Sequence, residues 1–198
     1  MSKVLPCHHL SHGRRFTKEG HTLGYYVSVI DARWHIPAEN VEAAYRAACA
    51  LNDRDDLKSG GRYVKGYPGG RPPRPEGLNY HPGAWFGNAD SNYPDKCTDL
   101  VEVLTHWGFD ARMSEPGYYV GSVWIEGYDG KSTDEEYLLA ALAPLTEEGA
   151  YLDWHGDDGE MWRYEVRAGL LHYLTGSVKW TNGGVTALKF YEGEGVEV

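Results

Sequence analysis

Cysteine is scarce in this sequence, long apolar runs are absent, and each shortage excludes a class of protein. The three cysteines, Cys7, Cys49 and Cys97, are odd in number and widely spaced, which argues against a disulfide framework. No stretch approaches the roughly eighteen consecutive apolar residues that a membrane-spanning helix needs. The N-terminus also lacks the apolar core of a secretory signal. We therefore expect a cytoplasmic protein that does not insert into a membrane.

Positive charge is also in short supply, and it is unevenly placed. Lys and Arg together number 19 against 29 Asp and Glu, which gives a formal net charge of −10. Residues Arg54–Arg74 are locally basic, with six Lys or Arg against two Asp, whereas Glu115–Glu165 contains thirteen carboxylates and two basic residues. A general nucleic-acid binder has a high overall pI. The charge pattern therefore does not favour duplex nucleic acid as a partner.

The sequence contains none of the common catalytic motifs. There is no C-x-x-C, no H-E-x-x-H and no G-x-S-x-G. The glycine-rich pieces GGRYVKG and GYPGGR do not lead from a strand into a helix, as a phosphate-binding loop does. We expect a protein that is not an enzyme and that uses no cofactor or metal. A metal-dependent hydrolase stays open as an alternative, because zinc-type ligands are concentrated near the N-terminus, namely Cys7, His8, His9, His12 and His21.

Apolar periodicity predicts an α+β domain. The 198 residues include 7 Trp and 15 Tyr, enough to bury a self-sufficient core. One helix follows Pro37, a second spans Thr98–Trp107 with Thr98 as its N-cap, and a third begins at Ser132 or Thr133. The predicted strands are Gly24–His35, Phe109–Met113, Tyr118–Tyr128, two arms within Ala150–Val166, and Leu170–Trp180. We expect an antiparallel sheet of about five or six strands with two or three helices on one face.

The clearest single element is a β-hairpin at Ala150–Val166, AYLDWHGDDGEMWRYEV. Two alternating runs flank an acidic turn, and alternation puts successive side chains on opposite faces. His155 lies between carboxylates, as a general base would, but Asp is favoured in turns for structural reasons. We interpret the hairpin as a rigid frame with a second candidate binding surface, formed by Asp153, His155, Asp157, Asp158 and Arg163.

A segment rich in proline and glycine, residues 60–94, interrupts the domain. Ordinary connections have about 4–6 residues, so a segment of this length is either a functional loop or a structural loop packed on the domain. Its many aromatic residues speak against simple disorder. Arg and Lys interleaved with Tyr and Trp suit a partner or a phosphate group. The first candidate binding surface therefore comprises Arg62, Tyr63, Lys65, Tyr67, Arg71, Arg74, Tyr80, Trp85 and Phe86.

These features divide the chain into three parts. Residues 1–23 form an N-terminal arm, and residues 24–180 form a single α+β domain that contains the 60–94 insertion. Residues 181–198 form a C-terminal extension that ends in an acidic tail. Within this extension, Val185–Tyr191 is apolar enough to add an edge strand to the sheet.

Two long stretches carry a family resemblance. They are GYYVSVIDARWHIPAENVEAAYRA and the region from TDLVEVLTHWGFDAR to LLHYLTGSVKW. The PAEN helix start, a later helix ending in Ala-Pro, and the acidic turn before a Trp-Arg strand resemble a family of small uncharacterised proteins from bacteriophages and prophages. Trp154–Trp162 is the most specific part, whereas the first twenty residues and the 60–94 insertion depart from the family. The resemblance implies a viral accessory protein and brings no catalytic residues.

These observations lead to one main functional hypothesis and one further alternative. The main hypothesis is a phage-encoded, non-enzymatic protein that binds and modulates a host protein, in host takeover or counter-defence, within the host cytoplasm. The alternative is a protein that sequesters a nucleotide or another small molecule, alone or as a symmetric homo-oligomer. Arginine suits phosphate because its planar fork bonds two oxygens at once. The phosphate ligands would then be Arg62, Lys65, Arg71 and Arg74.

Overall fold

The computed structural model describes residues 25–61, 73–87, 89–115, 119–181 and 184–192. The predicted N-terminal arm and residues 193–198 therefore lie outside the described residues. The strands are β1 (Tyr26–Ile36), β2 (Gly60–Gly61), β3 (Ala84–Trp85), β4 (Phe109–Met113), β5 (Val123–Lys131), β6 (Tyr151–Gly156), β7 (Met161–Arg167), β8 (Leu170–Thr181) and β9 (Gly184–Glu192). The α-helices are α1 (Ala38–Ala50), α2 (Tyr93–Lys96), α3 (Leu100–His106) and α4 (Glu135–Leu142).

In the described part of the chain, seven strands form one antiparallel sheet in the order β4-β5-β1-β6-β7-β8-β9. The predicted α+β class is confirmed. The short strands β2 and β3 pair with each other outside this sheet. The seven-stranded sheet has one strand more than the five or six that we expected. The additional strand is β9, which pairs with β8 and contains the stretch Val185–Tyr191. Part of the predicted C-terminal extension therefore belongs to the sheet.

The helices pack on one face of the sheet because each has one apolar side. Helix α1 turns Ala44 and Ala48 inward, and α4 buries Leu138, Leu139 and Leu142. The core residues of the strands share near-complete burial and are Val27, Trp34, Ile36, Val123, Ile125, Leu152, Trp154 and Val166. None of the helices in the described residues combines the length and apolar character that crossing a bilayer requires.

The start of α3 differs by one residue from the prediction. Asp99, not Thr98, is the N-cap, since Asp99 Oδ1 accepts a hydrogen bond from the Glu102 N–H at 2.9 Å. Glu102 Oε2 accepts hydrogen bonds from the Thr98 N–H at 2.6 Å and from the Thr98 hydroxyl at 3.0 Å, and these two bonds lower the pKa of Glu102. The arrangement resembles a capping box, except that the Glu102 carboxylate bonds the N–H of the residue before the N-cap. Asp fills this role better because its carboxylate reaches the N–H at the third helical position.

The turn between β7 and β8 contains a residue in an unfavourable backbone conformation. Ala168 and Gly169 both have positive φ, 51° and 73°, as the two central residues of a type I′ turn require. A β-carbon disfavours this region, whereas asparagine tolerates it through local hydrogen bonding. We expect Ala168→Asn to raise the free energy of unfolding by about 0.5–1 kcal/mol. The measurement is the midpoint of urea unfolding.

The control for this substitution is the neighbouring position. Gly169→Ala places a β-carbon at φ 73° and should lower the free energy of unfolding by about 1 kcal/mol. The Ala168 N–H donates to the Glu148 carboxylate at 2.9 Å, and this bond is kept in both variants. An unchanged or lower midpoint for Ala168→Asn would contradict the strain assigned to the turn.

Candidate functional site

The face of the sheet opposite the helices carries a row of charged and aromatic side chains. Alternate residues of β6 are buried beneath the helices, so Tyr151 and Asp153 point to the other face. Strand register places Asp153 opposite Asp31 of β1 and opposite Arg163 of β7. We call this set the polar sheet face, which comprises Asp31, Arg33, Tyr151, Asp153, Arg163, Glu165 and Arg167.

Asp153 and Arg163 form the centre of the polar sheet face. Arg163 donates from Nε to Asp153 Oδ1 at 2.5 Å and from Nη2 to Asp153 Oδ2 at 2.9 Å. The Asp153 side chain is 3% exposed and that of Arg163 is 21% exposed. The bond to Asp153 raises the pKa of Arg163 above its ordinary value. A bidentate pair of this kind fixes both the position and the orientation of its members.

Neighbouring side chains extend this pair into a network across three strands. The guanidinium of Arg163 lies 3.8 Å from the centroid of the Tyr151 ring, a cation–π contact. The Tyr151 hydroxyl donates to Asp31 Oδ2 at 3.0 Å, and burial together with this bond raises the pKa of Tyr151. On the other side, Glu165 Oε1 accepts from Arg167 Nε at 2.7 Å. Six side chains of the face are therefore held in place by one another, namely Asp31, Tyr151, Asp153, Arg163, Glu165 and Arg167.

His155 and the turn carboxylates stand apart from this network. His155 is exposed and lies opposite the first residue of β7. Asp158 Oδ1 accepts from the Glu160 N–H at 3.0 Å and from the Tyr25 hydroxyl at 2.6 Å. Burial and the bond to Asp158 raise the pKa of Tyr25. Asp158 thus stabilises the turn, and Asp157 is exposed beside it. Of the five residues predicted for the second candidate binding surface, the structure brings two into direct contact, Asp153 and Arg163.

Arg74, a predicted phosphate ligand, is engaged by carboxylates. Its Nε and Nη2 donate to Asp55 Oδ2 at 3.1 and 3.0 Å, and its Nη1 donates to Asp53 Oδ1 at 2.8 Å. These bonds, led by the one to Asp53, raise the pKa of Arg74. Arg74 therefore ties the start of segment 73–87 to the residues that follow α1. A phosphate group would have to displace two carboxylates to bind it.

The aromatic candidates of the same segment lie at different depths. Phe86 is 1% exposed, and its ring centroid lies 5.0 Å from that of Trp107. The binding role expected for Phe86 is therefore corrected to core packing. Trp85 is half-buried against Gly60, where a β-carbon would collide with the indole ring. Tyr80 is also half-buried, so Trp85 and Tyr80 are the aromatic side chains of this segment that reach the surface.

Asp134 shows how the same segment is held against the domain. Its Oδ2 accepts hydrogen bonds from the Ser59 N–H at 3.2 Å, the Ser59 hydroxyl at 2.8 Å and the Gly87 N–H at 2.8 Å. Burial raises the pKa of the neighbouring Glu135. Burial and the adjacent carboxylates raise the pKa of Glu136 to about 8. Sequence reasoning missed this junction because its partners lie far apart in the chain.

A second buried polar contact, at His35, also has no signal in the sequence. His35 Nδ1 lies 3.1 Å from Glu147 Oε2, and the Glu147 N–H donates to the His35 carbonyl at 2.9 Å. The imidazole stacks on Trp124 at 4.4 Å and meets the edge of Tyr119 at 4.7 Å. These contacts fix the segment before β6 against the end of β1, beside the polar sheet face.

Two depressions in the described part of the chain are shallow and open to solvent. One of them, of about 490 Å³, runs along α3. The other, of about 330 Å³, is lined by residues of β1, β4 and β5, next to irregularities in the pairing of these strands. Among residues 25–61, 73–87, 89–115, 119–181 and 184–192, no group of three or more His, Cys, Asp or Glu could hold a metal ion. The remaining predicted residues lie outside this part of the chain: Cys7, His8, His9, His12, His21, Arg62, Tyr63, Lys65, Tyr67 and Arg71.

Three comparisons with known proteins were negative. No protein-family model, no curated protein and no solved structure matches this chain. The resemblance to phage and prophage proteins therefore stays a prediction from the sequence.

Proposed function

We propose that this protein is a non-enzymatic, phage-encoded binding protein that engages a host protein through the polar sheet face. The observation that carries the proposal is the bidentate pair of Asp153 and Arg163 with Tyr151 stacked on the guanidinium. Tyr and Arg are enriched among the residues that dominate binding energy in protein interfaces. Side chains that are already fixed lose less conformational entropy on association. The phage origin and host partner follow from the sequence resemblance.

The shape of the described surface supports a protein partner over a small ligand. Sites for small molecules are concave and enclose most of the ligand, whereas the depressions of this surface are shallow. The nucleotide alternative receives no support from Arg74, because two carboxylates already engage its guanidinium. A sheet face offers a broad, rigid platform of the kind that a protein surface can cover.

The surroundings of the network also fit an interface. Antiparallel sheets commonly pack one face on the core and leave the other solvated. The pair of buried Asp153 and half-buried Arg163 lies centrally, with the exposed Arg33 on the neighbouring strand β1 and the exposed His155 further along β6. A desolvated centre with a polar rim is the usual anatomy of a protein interface.

The experiment compares capture of host proteins by the full chain and by a variant of the face. Arg33→Glu combined with Arg167→Glu reverses two charges at the rim and leaves the bidentate pair intact. We expect the unmodified protein to retain a host protein from a lysate of the bacterial host. We expect the double variant to retain at least about tenfold less, since reversing two rim charges disturbs the electrostatic complementarity of the face with its partner. Mass spectrometry identifies the protein and quantifies its recovery.

The matched control changes charge by the same amount elsewhere. Arg46→Glu combined with Lys96→Glu alters residues of α1 and α2, whose side chains are 69% and 48% exposed. This control should retain the same host protein as the unmodified chain does. Equal retention by the face variant and the unmodified chain, or no retained host protein at all, would overturn the proposal.

A further inference from the structure

One edge of the sheet is the five-residue strand β4. It pairs with β5 alone among the strands of the described residues. An edge strand presents backbone N–H and C=O groups that another strand can pair with. The sequence of this strand, FDARM, has a charged residue of opposite sign on either side of the central Ala111. The two charges are therefore placed symmetrically about the middle of the strand.

The hydrogen-bonding phase of β4 shows which backbone groups face outward. The Ser114 N–H donates to the Ser122 carbonyl at 2.8 Å, so Ser114 faces β5. Alternate residues of a strand direct their backbone groups to opposite sides. The bulge in this pairing adds a residue to β5, which leaves the alternation of β4 regular. Three residues therefore present their N–H and C=O groups outward, namely Phe109, Ala111 and Met113.

We propose that two copies of this chain associate by antiparallel pairing of their β4 strands, centred on Ala111. In that register Ala111 lies opposite Ala111 of the second copy, and Phe109 lies opposite Met113. These are the residues whose backbone groups face outward, so each opposing pair exchanges both of its hydrogen bonds. The twofold axis passes beside Ala111, and the interface is isologous.

The same register matches the charges of the two copies. Asp110 of one copy lies opposite Arg112 of the other, and symmetry makes this pair twice. Opposing residues without mutual backbone bonds have the closest side chains, and opposite charges at such positions stabilise the pairing. Arg112 bonds Glu126 of its own chain through Nε at 2.5 Å, and a guanidinium has four further N–H donors on its Nη groups. Both arginines can therefore join a continuous row of alternating charge.

Apolar side chains near the end of β4 enlarge the contact. Met113, Tyr119 and Val120 are 48%, 59% and 61% exposed and lie at the end of β4 or in the turn that follows it. A five-residue strand gives a small interface, so we expect a weak, concentration-dependent dimer. The polar sheet face is not consumed by this contact, because pairing takes place at the edge of the sheet.

The first test removes one outward N–H and leaves the ladder to β5 intact. Ala111→Pro eliminates the two central hydrogen bonds of the dimer, and proline is tolerated on the free side of an edge strand. Analytical ultracentrifugation of the full chain should show a mass that rises with concentration from 22.2 kDa towards twice that value. The proline variant should associate at least about tenfold more weakly.

The second test does not depend on the proline variant. Asp110→Arg places arginine opposite Arg112, and Arg112→Asp places aspartate opposite Asp110, so each variant alone should stay monomeric. Mixed together, the two variants again present opposite charges at both pairs and should form a heterodimer. A wild-type chain that stays at 22.2 kDa at every concentration, a dimer unaffected by Ala111→Pro, or a mixture that fails to associate would each overturn the proposal.

Discussion

Replacing Phe86 by alanine should lower the free energy of unfolding by about 3–5 kcal/mol, the range for deleting a large aromatic side chain from a core. Phe86 is 1% exposed, and its ring lies 5.0 Å from Trp107 and 6.3 Å from Tyr137. The ammonium of Lys58 lies 5.7 Å from the same ring. Alanine would leave a cavity that these bulky neighbours cannot fill. Urea unfolding followed by tryptophan fluorescence measures the loss.

The control lies in the same segment. Leu78 is 39% exposed, so Leu78→Ala should change the free energy of unfolding by less than about 1 kcal/mol. A Phe86→Ala variant as stable as the Leu78→Ala variant would contradict the core role and restore Phe86 as a binding candidate. Weaker partner binding by Phe86→Ala would have to be measured where that variant is fully folded.

Phe86 shows why the 60–94 segment could not be interpreted from the sequence. Prolines and glycines remove the periodicity that separates buried from exposed positions. The depth of Phe86 depends instead on long-range contacts, such as the Gly87 N–H bonded to Asp134 at 2.8 Å. Gly87 has φ 34° and sits where a β-carbon would collide with Thr133. Such contacts join residues that no local pattern relates.

The hairpin shows the opposite case, in which local pattern predicts nearly everything. Alternation predicted both arms and both faces, and the structure pairs them. The alternation did not predict which residue of β6 lies opposite Arg163, because the cross-strand register depends on the length of the turn. The Gly156 N–H bonds the Glu160 carbonyl at 2.9 Å, so Glu160 joins the turn and Asp153 faces Arg163. A one-residue change in register would have moved the side chains to the other face.

The same limit applies to the candidate site as a whole. Asp31 and Arg33 lie in a strand that was predicted, yet their place on the polar sheet face depends on an irregularity in β1 between Val29 and Asp31. A bulge of one residue changes which side chains share a face. The composition of the site therefore depends on the strand order and register, which bring together residues more than a hundred positions apart and which no local sequence pattern predicts.

Replacing Arg163 by alanine should lower the free energy of unfolding by about 3–5 kcal/mol, the usual result of breaking a buried ion pair from one side. Asp153 is 3% exposed, so its carboxylate would remain in the sheet without its bidentate partner. The stacking of the guanidinium on Tyr151 at 3.8 Å would also be lost. Urea unfolding at neutral pH measures the change.

Replacing Asp153 by alanine should lower the free energy of unfolding by less than replacing Arg163 does. Asp153→Ala leaves Arg163, which is 21% exposed and has Glu165 Oε2 within 3.7 Å of Nη1. Because its charge keeps a partner and access to water, we expect a loss of about 1–2 kcal/mol. The double variant should lose less than the sum of the two single losses, since residues in one network are coupled.

An exposed pair of the same type supplies the control. Arg112 and Glu126 are 52% and 43% exposed, so Arg112→Ala should lower the free energy of unfolding by less than about 1 kcal/mol. If Arg163→Ala were no more costly than Arg112→Ala, the pair at the centre of the polar sheet face would not be the rigid anchor that the proposed binding function needs. A larger loss in free energy of unfolding for Arg163→Ala than for Asp153→Ala would show that the buried carboxylate depends on the arginine. The same ion pair would then hold Arg163 and its stacked Tyr151 in place for a partner.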